Sequence, residues 1–475
     1  MRRTMSASTR ARVTSTTDPQ VRPRAGLRRR LQRMGAACTL ALLGLVSSDA
    51  RAIGGLHPIG KRLVAPDPAA LEMFGTAVAI QGDLAAVGAP GDDQIGNNAG
   101  AVFIFRRSGL AWVQEAKLLG SVAGDLYGAS VALTGTPATG VRLLVGAPNA
   151  TAITRGAAFV YTRVSAGNWG TPVQLHSLAS PALVDQDAFG SSVAVSSGAV
   201  GTFAIIGAPG NSGAGLAHVF RLNGSSWVQD GARLAGTVAQ TRFGQAVAID
   251  GANGFALVSS QGTTSNPGAV FSFQRVTSPS ISWGSGPALS ASLANFDGFG
   301  RSIAMSGNWA LIGAPGADGS RVDAGAVHFF QRTGSVWSGQ PRKFSTNQTE
   351  FGEYGSSVAI SDDRALVGAP NERNGDGHLY VLSRNGTNWG EAPPMFLALV
   401  SGGYLGASAA LSAQGEAISG AWFETCVECG SAYVFEKGVA TPVLGRAGAW
   451  LFAALLSACG SLLLARQRRG GLARA

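Results

Sequence analysis

The stretch Phe299-Gly300-Arg301-Ser302-Ile303-Ala304, followed by Ala310-Leu311-Ile312-Gly313-Ala314-Pro315, decides the fold because it recurs. An aromatic residue, then Gly, then a small-apolar-Ala pattern begins at Phe74, Tyr127, Phe189, Phe243, Phe299 and Tyr354, with a weaker copy at Tyr404. The steps run from 50 to 62 residues. A near-constant period of this size marks repeated supersecondary units.

Each copy holds four short apolar runs bounded by Gly, Asn, Asp or Pro. In the first copy they are Thr76–Ile80, Leu84–Gly88, Ala101–Arg106 and Trp112–Leu118. Their length and their Val, Ile and Phe content suit strands, and no repeat sustains a 3.6-residue apolar period. Asn223-Gly224 and Asn385-Gly386 sit between the third and fourth runs, where Asn-Gly would supply the two positive φ values of a tight hairpin. A Trp follows each time, at 112, 169, 227, 283, 337 and 389.

Four antiparallel strands repeated seven times predict an all-β, seven-bladed β-propeller, because radial stacking buries faces that a lone four-stranded sheet leaves wet. The seventh copy has only three strands, Ala407–Leu411, Glu416–Gly420 and Ser431–Glu436. The missing strand is expected from Lys61-Arg62-Leu63-Val64, ahead of the first copy, which would close the ring and remove exposed edges. The three expected segments are 1–52, an export signal; 53–440, the propeller; and 441–475, a C-terminal transmembrane or sorting segment.

These residues resemble the FG-GAP repeat, found in the integrin α head propeller and in many bacterial surface proteins. The likeness covers residues 61–436, with Gly-Ala-Pro at 88, 146, 207, 313 and 368. Copies four and seven depart, reading Val258-Ser259-Ser260 and Ser419-Gly420-Ala421. The resemblance implies an integrin-α-like propeller whose ligand meets the loops after Gly-Ala-Pro and those between blades. It also raises calcium. The first-to-second strand loops, such as Gln81-Gly82-Asp83 and Ser361-Asp362-Asp363, lack three alternating oxygen ligands, so no cofactor is expected. Asn371–Gly377 has a calcium-like composition in a different loop and reads as a solvated turn.

The first 52 residues carry 11 Arg and 2 Asp. A basic stretch leads into the apolar run Met34–Val46 and then Ala50-Arg51-Ala52, an A-x-A cleavage motif. This order reads as a secretory signal with a long basic region, through either the general or the twin-arginine route, from Met1 or a later Met. Residues 447–465 form a run of 19 without charge before Arg466-Gln467-Arg468-Arg469. As a helix this run spans about 28 Å, enough to cross a bilayer core, with the Arg cluster inside. Thr441-Pro442-Val443-Leu444-Gly445 with this tail is similar to PEP-CTERM and IPTL-CTERM sorting signals, which implies a sortase-like processing enzyme; a plain anchor is the alternative. The net charge of +10 belongs to the two ends. The part between them carries 21 basic and 25 acidic residues, which argues against nucleic acid.

Cys426-x-x-Cys429 is the one cysteine pair in the repeat region. In an exported chain it reads as a local disulfide; a zinc site would need two further ligands. His218 and His328 stand where other copies place Phe or Tyr and read as packing residues, and His378 has no partner in register. No nucleophile elbow, His-Glu-x-x-His helix or phosphate loop is present. Asp92, Asp93, Asp318 and Asp323 are the candidate contacts on the ligand-facing loops, or else they only solvate those turns. The expectation is an exported, surface-located module, not an enzyme, that binds a protein or glycan. A structural envelope component and a glycan-active propeller enzyme are the alternatives.

Overall fold

A computed structural model describes residues 61–67, 71–150, 155–175, 187–210, 215–236, 242–260, 267–291, 294–392, 402–423 and 429–436. All lie within the unit Gly54–Val439. The cleavage motif with Ala50 and Ala52, the run 447–465 and Cys426 lie outside the described residues. Among the described residues no helix is long and apolar enough to cross a membrane.

Seven antiparallel sheets follow one another along the chain. Blade 1 runs Ala77–Gln81, Leu84–Ala89, Ala101–Ser108 and Ala111–Leu119, paired in that order. The innermost strands of blades 2 to 7 begin at Ser130, Ser192, Val247, Ile303, Ser357 and Ser408. Each touches the innermost strand of the next blade, and Ala77–Gln81 also touches Ser408–Leu411, so the blades form a ring. In blades 3 and 5 the outer strand is broken into two pieces that both pair with the third strand. The last blade takes its fourth strand from Lys61–Leu63, which pairs antiparallel with Ser431–Phe435, Arg62 opposite Tyr433. Lys61 Nζ reinforces that seam with an ion pair to Glu436 at 2.7 Å.

The tight hairpins differ from the Asn-Gly expectation by one residue. Asn223 pairs with Ser226 and Asn385 with Asn388, so the two loop residues are Gly224-Ser225 and Gly386-Thr387. Only the Gly takes a positive φ, 62° and 65°. That is the pattern of a turn with Gly at its first central position.

Apolar packing lies between blades. Phe74, Val87, Phe103 and Phe105 of blade 1 share one cluster with Ile418 and Val434 of blade 7. The second strands are buried along most of their length, and Leu84–Ala89 and Trp309–Ala314 throughout. The Gly-Ala-Pro glycine explains how blades come so close. A Cβ on Gly88, Gly146 or Gly207 would lie 2.0 Å from the carbonyl oxygen of the Phe/Tyr-Gly glycine of the following blade. That same oxygen accepts a hydroxyl from the preceding blade: Ser130 to Gly190, Ser192 to Gly244, Ser302 to Gly355, Ser357 to Gly406 and Ser408 to Gly75, all at 2.7–2.8 Å. The repeated serine is therefore an inter-blade bond. Its last instance closes the ring.

A second set of ties runs from the third strand of one blade to the blade before it. Arg163 grips Glu115 at 2.7 Å, Arg107 reaches Glu416 at 3.3 Å, and Arg275 grips Asp230 at 2.6 Å. Where the neighbour offers a ring instead, Arg332 lies 3.9 Å from the Phe255 centroid and Arg384 5.1 Å from that of Trp309. Asp230 is the densest node. It accepts from Arg221, Arg275 and the Trp283 indole and is 2% exposed. Removing one partner of a buried pair strands the other charge, so Asp230→Ala should cost roughly 3–5 kcal/mol. Urea unfolding of the variant should show a loss of that size; a loss under 1 kcal/mol would remove the ties from the account of stability.

His218 and His328 pack edge-on against Phe189 and Phe299, at 5.5 and 5.2 Å. Both are buried, and burial, helped by the charges of Arg233 and Arg342 respectively, lowers each imidazole to about 4. A folded value below the ordinary 6.5 gives stability that is complete above pH 6.5 and is lost as pH falls toward 4. His218→Phe and His328→Phe, which install the aromatic of other copies, should flatten the denaturation profile between pH 6.5 and 4. A slope unchanged in the double variant would count against this.

Candidate functional site

One face of the ring is built from the same turn in all seven blades. The residue before each Phe/Tyr-Gly pair is left-handed: Met73, Leu126, Ala188, Arg242, Gly298, Glu353 and Tyr404, with φ from 52° to 68°. Its carbonyl accepts the N–H three residues on in every case, from Thr76 through to Ala407. These turns rim the inner end of the ring.

The turn register corrects the start of the seventh copy. Leu405, not Tyr404, occupies the buried aromatic position, and Gly406 donates to Gly420 as Gly75 does to Gly88. Tyr404 is thereby released to the rim. The Gly-Ala-Pro of blade 7 shifts with it. Gly420 pairs with Ser408 as Gly368 pairs with Ser357, so the segment is Gly420-Ala421-Trp422, with Trp422 in place of Pro. Blade 4 reads Ser259-Ser260 at this position, and the Ser259 hydroxyl turns back to the Ala246 N–H of its own blade at 2.9 Å.

Trp422 and Tyr404 stack, with centroids 5.6 Å apart and planes at 21°. Phe423 stands edge-on to both, at 80° and 89°. The pair borders a depression of about 700 Å³ at the ends of blades 5, 6, 7 and 1. Met73, Phe351, Arg301, Asp323, Glu353 and Asn371 complete its polar and apolar lining. Three residues ahead of the buried aromatic, blades 1, 5 and 6 carry Leu71, Phe296 and Phe351, exposed at 52%, 64% and 57%. All three are left-handed, at φ 70°, 72° and 56°. Blades 2 and 7 use Gly124 and Gly402 at that position. Bulky side chains are strained there, and such strain persists where the surroundings or a function require it.

The four aspartates singled out from sequence take three different roles. Asp92 is buried at 1% and bonded to Lys117 Nζ at 2.6 Å; it braces the loop and does not face a ligand, which corrects the expectation. Asp93 and Asp318 are exposed and each closes its own loop, accepting the N–H of Asn98 at 2.7 Å and of Asp323 at 2.9 Å. Asp323 lines the depression. Burial, and then the Asp318 charge, push its carboxyl above the ordinary range. Among the described residues, neither the Asp323 carboxylate nor the Arg301 guanidinium has a hydrogen-bonding side-chain or backbone partner.

A buried cluster escaped the sequence reading. Glu372 is 0% exposed and accepts from the Tyr380 hydroxyl and, at 2.8 Å, from Ser345; His378 Nδ1 is bonded to the same carboxylate. His378 therefore has a partner, six residues back and invisible to strand register. The cluster anchors a short helical turn, Glu372–Gly375, in which Arg373 and Asn374 are left-handed. It thereby positions Pro370 and Asn371 at the depression. Of the two acidic side chains in this loop of calcium-like composition, Glu372 is turned inward and Asp376 accepts the Gly402 N–H at 3.1 Å. Among the described residues no group of three or more His, Cys, Asp or Glu is arranged to hold a metal. Cys429 is disulfide-bonded.

The FG-GAP repeat pattern matches residues 60–105, 289–330 and 347–382, so the chain carries FG-GAP repeats. These matches fall mainly in blades 1, 5 and 6, and the first also takes in Lys61–Leu63, the strand that completes blade 7. No curated protein matches the chain.

The left-handed Phe351 separates stability from function. Phe351→Gly should raise stability by about 1 kcal/mol, because the backbone conformation is kept and the Cβ strain is relieved. A rise in melting temperature checks this, and a clear fall would show that the exposed ring is held by packing instead.

Proposed function

We propose that this FG-GAP propeller is an exported, non-catalytic binding module whose ligand, a protein or glycan outside the cell, occupies the depression between blades 5, 6, 7 and 1. The observation that carries this reading is blade 7. It departs from the repeat at Leu405 and Trp422, and Trp422 meets Tyr404, the residue that blade 7 carries at the variable turn position, at the same rim. Binding sites join an apolar platform to a few polar groups, and this rim offers both. The signal-like start, the A-x-A motif at Ala50 and Ala52 and the apolar tail support export, with the chain held by the C-terminal helix or released after processing. FG-GAP repeats are typical of extracellular proteins.

A second reading comes from two carboxylates in the same depression. Glu353 and Asp323 both line it, and the Glu353 N–H donates to the Asp323 carbonyl at 3.2 Å. Glycoside hydrolysis uses two carboxyl groups roughly 5–9.5 Å apart, so release of reducing ends that Glu353→Gln abolishes would favour the enzyme.

Two measurements test the main reading. In the native host, intact mass and surface protease treatment should find a mature chain beginning near Ile53 and cleavable from outside; an internal chain that retains Met1 would overturn export. Labelled full chain should bind host cell surfaces or matrix, and Trp422→Pro, which restores the residue of five other blades, should weaken that binding at least tenfold. Equal binding by both proteins would remove the depression as the site.

A further inference from the structure

We infer that the depression is a saccharide site, taking a neutral sugar ring flat against the outer face of the Trp422–Tyr404 stack; this rests on the depression being the binding site. A pyranose has one face of C–H groups and a rim of hydroxyls, each both donor and acceptor. The depression offers the complement of both.

The flat face is met first. The two stacked rings lie within 21° of parallel, and Phe423 buttresses them edge-on. The stack fixes the orientation of both rings and leaves its outer face to a ligand, so little side-chain entropy remains to be lost on binding. A fixed plane suits a rigid ring better than a flexible aliphatic chain.

The hydroxyl rim is met next. Arg301 supplies donors only, Asp323 and Glu353 supply acceptors, and Asn371 supplies both. Among the described residues neither the Arg301 guanidinium nor the Asp323 carboxylate has a hydrogen-bonding partner, which leaves both to take a hydroxyl pair. The lining carries both signs of charge. It therefore lacks the one-signed field that a polyphosphate or a polycation would demand.

A peptide fits less well. Strand addition draws its affinity from free main-chain groups, and here the turns have used theirs. Phe351 N–H donates to Val322, Glu353 N–H to Asp323 and Tyr404 N–H to Gly375, at 2.8–3.2 Å. Recognition is left to side chains. The volume of about 700 Å³ falls within the roughly 300–1,000 Å³ of small-ligand pockets, which suits a short oligosaccharide.

The test uses the purified full chain and a panel of neutral gluco-, galacto- and manno-configured oligosaccharides, N-acetylated forms included, with uronic-acid oligosaccharides as the charged comparison. Saturation-transfer NMR and tryptophan fluorescence read binding. At least one neutral member should bind saturably. Affinity should fall at least tenfold in Trp422→Pro and in Asp323→Asn, with melting temperatures close to the parent. If no neutral member binds, or if both variants bind as the parent does, the saccharide assignment is overturned. Periodate treatment of host surfaces separates the two layers of the argument. Trp422-dependent binding that survives periodate leaves the binding module standing and removes the saccharide. Surface binding indifferent to Trp422 removes both.

Discussion

The contact on which the ring depends is between one glycine carbonyl and the blade before it. The Phe/Tyr-Gly glycine of each blade turns its oxygen toward the preceding blade. There it meets, at six of the seven junctions, a glycine with no Cβ to obstruct it and, at five, a serine hydroxyl that donates to it. Each such bond contributes only about 1 kcal/mol. Its greater effect is geometric: it sets the distance at which two buried faces of Val, Ile and Phe can mesh. The Ser408-to-Gly75 bond, spanning most of the chain, shows that closure uses the same device as four other junctions.

Because the frame repeats, its departures are informative. Blade 4 gives up the glycine for Ser259, and the next junction carries the cation–π contact of Arg332 over Phe255. Blade 7 gives up the proline for Trp422 and the buried aromatic for Leu405, and both changes feed the rim. Blades 1, 5 and 6 accept strained, exposed side chains where blades 2 and 7 have glycine. The departures at the rim gather on one arc. Those at blade 4 stay within the body of the ring.

Hydrophobic burial and polar ties divide the work by location. Between blades, near the ring interior, packing of small and aromatic residues dominates. Farther out, third-strand arginines tie neighbouring blades through carboxylates or rings, whichever the neighbour presents. Glu372 does a local version of this at the rim, where His378, Tyr380 and Ser345 hold one loop in place. The rim is thus prepared by groups that never reach its surface.

Much of this was legible in the residues alone. Period, strand length, turn glycines and the short seventh copy determined seven blades and a borrowed strand, because a period-two apolar pattern and a fixed repeat length leave few other ways to bury so many faces. The serine that recurs at five junctions is part of the frame, since a residue shared by several blades cannot single out a site. Register was less legible. Tyr404 looked like a repeat aromatic, and only its backbone bonds showed that Leu405 takes the buried place. Asp92 and Asp323 looked alike as loop acids; the tertiary structure decided that one is sealed by Lys117 and the other opens onto the depression. Partners such as Asp230–Arg275 and Glu372–His378, and the meeting of Trp422 with Tyr404, depend on side chains brought together by blade packing. Local sequence determines conformation along the chain, but which side chains meet across it is set by the closed ring.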